Sequence, residues 1–137
     1  MAITIGRPVI VKAIVTDALK DDLLIDLQNA LTRLEEDSHQ FDFQGRKMVQ
    51  DLEKTNPQRV AVFKQQLETE RQKRQEAKQE LLQKMQAVES LEVGQEVVHS
   101  TVQGFWDVEV GQNWEAIEKA EIVIKDGVVI EIRGQEK

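Results

Sequence analysis

The stretch LIDLQNALTRLEEDSHQFDFQGRKMVQDLEKTNP, residues 24–57, decides the fold. Leu24, Leu27, Leu31, Leu34, Phe41, Met48 and Leu52 recur at alternating steps of three and four, with Ser38 and Gly45 holding the same phase. That is the heptad seam of a long helix. After Thr55-Asn56-Pro57 the spacing returns as Val60, Phe63, Leu67, Glu70, Arg74, Ala77, Leu81, Lys84 or Met85, and Val88. Folding the chain back at Asn56 sets Leu52 opposite Val60, Gly45 opposite Leu67, Ser38 opposite Arg74, Leu31 opposite Leu81 and Leu24 opposite Val88. The pattern predicts an antiparallel coiled-coil hairpin over 17–90, turning near 55–58 and extending roughly 50 Å at ~1.5 Å per residue.

Helix punctuation agrees. Thr16 and Asp17 offer capping oxygens, and Asp21 and Asp22 suit the positive end of the helix dipole. Asn56 precedes a proline and so avoids the α region, while Pro57 is welcome in a first helical turn. Gly45 costs ~1 kcal/mol against alanine, but the phase survives it and the helix is expected to run through.

The flanks have a different texture. Residues Ile3 to Thr16 are rich in Ile and Val, interrupted by Gly6-Arg7-Pro8, and read as strand. Pro8 belongs at a strand start or an edge. Val9, Val11, Ala13 and Val15 line one face, Ile10, Lys12 and Ile14 the other, so the strand is expected to be covered twice. Beyond Leu91, Val97–Val102 and Phe105–Val110 read as two strands separated at Gly104. Trp114 to Glu118 is either one helical turn capped by Asn113 or a loop that plugs the core. Ile122 to Ile132, broken by Asp126-Gly127, is a hairpin with a two-residue turn at positive φ. The expectation is an α+β chain. A discontinuous β domain (1–16 and 91–137) of about five strands, as a twisted sheet or partly closed barrel, carries the inserted hairpin.

With 137 residues, net charge −7 and no cysteine, the chain has room for one small core. The acidic balance opposes indiscriminate binding to nucleic acid or anionic membrane. No run is long enough to span a bilayer, and the N-terminus lacks the pattern of a secretion signal, so a cytoplasmic protein is expected. Opposite charge on the limbs, Asp21, Asp22, Asp26, Glu35, Glu36 and Asp37 against Arg71, Lys73, Arg74, Lys78 and Lys84, favours one register.

Taken together, Val9-Ile-Val-Lys-Ala-Ile-Val-Thr16, the helical excursion, Trp106-Asp-Val-Glu-Val-Gly-Gln-Asn-Trp114 and Ile122-Val-Ile-Lys-Asp-Gly-Val-Val-Ile-Glu-Ile132 resemble the YlqD family of small bacterial proteins. The resemblance covers nearly the whole chain and brings no catalytic residues with it. Genes of such proteins can lie near ribosome-maturation and tRNA-modification genes, which implies ribosome-related work.

No chemistry stands out. His39 and His99 fall in different elements, no serine sits in a nucleophile elbow, and no glycine-rich cradle exists. Catalytic, cofactor and metal residues are therefore expected to be absent. The candidates are surfaces. Phe43 lies outside the seam and, with Val49 and Val62, suggests self-association through the arms, two hairpins forming a four-helix bundle. Arg46, Lys47, Lys54, Arg59 and Lys64 outnumber Asp51 and Glu53 at the tip, which is plainly a solvated end or else a contact for an acidic partner, ribosomal RNA included. Phe105, Trp106 and Trp114 have acidic neighbours and read as core aromatics, not base-stacking platforms. The functional expectation is a non-enzymatic interaction or scaffold protein that self-associates. An RNA- or ribosome-associated accessory factor is the alternative, and a holdase-like chaperone a remoter one.

Overall fold

The computed structural model describes residues 1–134. Along the chain come β1 (Ala2–Ile14), α1 (Asp17–Thr55), a 3-10 turn (Pro57–Arg59), α2 (Val60–Glu89), β2 (Glu96–Glu109), α3 (Trp114–Glu118), β3 (Glu121–Lys125) and β4 (Val128–Arg133). Two compact units result. One joins Met1–Asp21 to the chain from Leu91 on, and the other is Asp22–Ser90.

The first unit is one mixed sheet in the order β2-β1-β3-β4. β1 pairs antiparallel with β2 from Ala2↔Glu109 to Ile14↔Glu96, and parallel with β3 from Ile10↔Glu121 to Ala13↔Ile124. Both strands therefore pair with an N-terminal segment from which the chain has travelled far. Among the described residues the sheet has four strands, not five, and it is not closed into a barrel. Two expected interruptions fail to interrupt. Gly104 lies inside β2 because the strand needs a missing side chain there: a Cβ would stand 2.7 Å from both Val9 Cγ2 and Trp106 Cζ3. Gly6-Arg7-Pro8 stays within β1, and Pro8 faces Gln103 of β2 before the parallel partner β3 begins opposite Ile10. Pro8 thus sits where β1 has a neighbour on one side only.

Burial follows the expected alternation on one face. Val9, Val11, Ala13 and Val15 are buried, while Ile10 is exposed and Lys12 and Ile14 are half-buried. The strand is consequently not covered equally on both faces; Lys12 uses the second face to reach Glu121 at 3.1 Å. Phe105 and Trp114 are exposed, against the expectation of core aromatics, and only Trp106 is half-buried. Phe105 lies over Gly6 on the sheet surface, and Ile117 is the buried residue of α3. That segment is a helical turn, with Asn113 Oδ1 accepting from the amides of Glu115 (2.9 Å) and Ala116 (3.4 Å). Asp126 and Gly127 take φ of 48° and 80°, as their two-residue turn requires.

The second unit is the helical hairpin. Asn56 is extended (φ −153°, ψ 75°), Pro57 opens the 3-10 turn, and the helices run antiparallel from there. α1 begins where Thr16 Oγ1 accepts from the amide of Leu19 at 3.1 Å, and it continues unbroken through Gly45. A Cβ on Gly45 would lie 3.0 Å from Leu67 Cδ2, so the facing pair expected from the spacing is in contact. Seam residues are the less exposed ones, apart from Met48 and Glu70, yet two helices alone bury only Leu31 and Gly45 fully. Among the described residues no helix is long and apolar enough to cross a membrane.

Candidate interaction surfaces of the hairpin

Mid-hairpin charge is consumed internally. Arg71 Nε stands 3.2 Å from Asp42, Arg74 Nε 3.0 Å from Asp37, and Lys78 Nζ 3.8 Å from Glu35, each pair joining α2 to α1. Arg74 also sets its guanidinium 3.9 Å above the Phe41 ring and reaches Glu70 one turn back. The polar position opposite Ser38 is thus a layer of cation, ring and carboxylates. Lys73 differs from the expected cross-limb pairing, since it bonds Glu70 on its own helix.

Nearer the turn the pattern changes. Among the described residues no carboxylate approaches Arg46, Lys47, Lys54, Arg59 or Lys64 to within 4.0 Å, and Arg46 turns instead to the carbonyl of Asp42. All five are exposed. The structure sorts them onto different sides. Arg46 and Lys64 line a groove of about 430 Å³ floored by Val49 and Leu67. Arg59 lines a second groove, of about 360 Å³, with Met48, Val62 and Phe63. The three apolar candidates do not form one patch: Val49 belongs to the first groove, Val62 to the second, and Phe43 lines neither.

Phe43 has a companion that its sequence neighbourhood does not reveal. Ile25 is 57% exposed and Phe43 64%, and their 18-residue separation is five full turns of a continuous helix. Both therefore stand on the same outer line of α1, away from the Gly45–Leu67 contact. A search restricted to the seam passes over such a pair; a period of 3.6 applied to the off-seam positions finds it.

His39 is exposed, and His99 Nδ1 lies 2.9 Å from Ser100 Oγ. Among the described residues no group of three or more His, Cys, Asp or Glu side chains is placed to hold a metal ion.

Comparison with known proteins agrees with this architecture. Residues 3–133 match the family described as "YlqD protein". The chain is 32% identical over 126 residues to "Uncharacterized protein YlqD" of Bacillus subtilis (strain 168), covering 91% of this chain and 94% of that one. It is also similar to a crystal structure of a protein of unknown function from Synechococcus sp. WH 8102. There the TM-score is 0.74 at 28% identity, with 99% of this chain and 96% of the other covered.

Proposed function

The chain belongs to the YlqD family, and we propose that this member is a non-enzymatic interaction protein of the cytoplasm that holds an acidic protein partner at the tip of its helical hairpin. One observation carries the reading: among the described residues no carboxylate pairs with the cations between residues 46 and 64, in contrast to Arg71, Arg74 and Lys78. An unpaired surface cation keeps its field for an incoming ligand, whereas a paired one has already spent it. Five cations against Asp51 and Glu53 also make the tip opposite in sign to a chain of net charge −7. Exposed Met48 and Val62 beside Arg59 add apolar surface of the kind that an acidic amphipathic segment covers.

A second reading, an RNA- or ribosome-associated accessory role, is favoured by the same cations, because phosphates reward unpaired Lys and Arg through counterion release. Affinity capture from extract separates the two. The full chain is compared with a Lys54→Glu, Arg59→Glu, Lys64→Glu variant, with and without ribonuclease. The expected result is a captured protein that resists ribonuclease and disappears with the variant. Capture that ribonuclease abolishes supports the second reading, and identical capture by both chains overturns each.

A further inference from the structure

We propose that the outer face of α1 is an interface between two copies of this chain, packed antiparallel so that Ile25 of each copy covers Phe43 of the other. The inference gives the hairpin a second role on the outer face of α1; it draws Arg46 and Lys47 into the dimer and leaves Lys54, Arg59 and Lys64, the cations that test the tip contact, outside it.

The argument begins with helix geometry. Ile25 and Phe43 share one line of α1 about 27 Å apart, and both are more than half exposed. A two-fold axis at the level of Leu34 relates the two positions, so one operation covers both apolar side chains in each copy. Parallel packing would instead set Phe43 on Phe43 and acid on acid.

Charge selects the antiparallel choice. Asp21 and Asp22 flank the line one turn before Ile25, and Arg46 and Lys47 flank it one turn after Phe43; all four are exposed. Antiparallel helices bring together residues on the same flank. At 100° per residue Asp21 and Arg46 lie on one flank, Asp22 and Lys47 on the other. The two-fold arrangement therefore sets Asp21 beside Arg46 and Asp22 beside Lys47 of the second copy, four ion pairs in all. Among the described residues none of these four side chains forms an ion pair within its own chain, although Arg46 reaches the carbonyl of Asp42. Between the apolar pairs the line carries Asn29, Thr32, Glu36, His39 and Gln40, all exposed, and no Lys or Arg among them. The occupant that matches an apolar residue, an acidic pair at one end and a basic pair at the other, each in mirrored order, is the same helix reversed.

Sedimentation equilibrium of the full chain tests this. The expected result is a monomer–dimer equilibrium that weakens with salt and whose dissociation constant rises at least tenfold for Phe43→Glu and for Ile25→Glu. Since both positions face solvent, unchanged helical circular dichroism would show that the variants still fold. The sharper arm exchanges charges: an Asp21→Lys, Asp22→Lys chain and an Arg46→Glu, Lys47→Glu chain should each be monomeric alone and dimerise when mixed. Because the protein has no cysteine, Ile25→Cys mixed with Phe43→Cys should yield an interchain disulfide. A wild-type chain that is monomeric at every concentration overturns the proposal, as does a dimer indifferent to Phe43→Glu or mixed charge variants that fail to associate.

Discussion

Arg133 and Glu96 stand in opposite edge strands of the sheet, β4 and β2, and their side chains meet at 2.7 Å. In a flat sheet three strand spacings and four residues of offset would hold their Cα atoms roughly 19 Å apart. The contact requires a strongly curved sheet, and a charged side chain spans the gap that no backbone ladder closes. Arg133 also reaches Glu121 at 3.6 Å and Glu131 at 3.1 Å. Hydrogen bonds to Glu131 and Glu96 push its pKa above the ordinary guanidinium value, so it remains charged wherever the protein is folded.

Breaking this link should loosen the curvature. Arg133→Met and Glu96→Gln are each expected to lower the melting temperature, with a combined effect smaller than the sum. The coupling should shrink as salt is added, because every participant is partly exposed. Thermal melts of the two variants and their double measure it, and strict additivity would show that the pair does not couple the edges.

Gly104 should tolerate no side chain. Gly104→Ala puts a methyl group 2.7 Å from Val9 Cγ2, and Val9 belongs to the buried row of β1. A loss of about 1–3 kcal/mol is expected from overpacking. Chemical denaturation should show a lower midpoint for Gly104→Ala, whereas the exposed neighbour Gln103→Ala should change little.

These two positions mark where the sequence was legible and where it was not. Local chemistry was: the Asp126-Gly127 turn, the Thr16 helix start and the Gly45–Leu67 register all follow from residue types at fixed offsets, and the Asn113 cap was one of two readings of its segment. What failed depended on partners distant in the chain. Gly104 reads as a break until Val9 is brought beside it, and nothing near Arg133 announces Glu96. The candidate site divided the same way. The tip cations were visible as a charge excess, but how far carboxylates stand from them is a distance, and the Ile25–Phe43 line, open to a 3.6 period over the off-seam positions, needed the exposure of both side chains to become a surface.

Arg74 should resist replacement by lysine. Its planar guanidinium lies over Phe41 while bonding Asp37, a geometry that a point charge on a flexible stem does not reproduce. Arg74→Met is expected to cost about 1 kcal/mol from the lost cation–π contact and ion pair together. Arg74→Lys should recover less than half of it. Urea melts of Arg74→Met, Arg74→Lys and Phe41→Leu give the comparison, and full recovery by lysine would reduce the layer to simple charge pairing.

Gly45 sets two opposing effects against each other at one position. Alanine there favours the helical backbone by ~1 kcal/mol. Its Cβ, however, would stand 3.0 Å from Leu67 Cδ2 and 3.2 Å from Cδ1, closer than ordinary contact. The obstructing atoms are the far end of a flexible side chain, so Leu67 can yield by a small rotation, and Gly45→Ala should change stability by less than about 1 kcal/mol in either direction. The two contributions separate when the obstruction is removed. In a Leu67→Val background, Gly45→Ala should show close to the whole helical gain, while Gly45→Phe should destabilise in both backgrounds by forcing the helices apart. Helix melting followed by circular dichroism reads all four combinations. If alanine destabilised the Leu67→Val chain, the close approach of α1 and α2 would have to rest on backbone contact and not on the leucine.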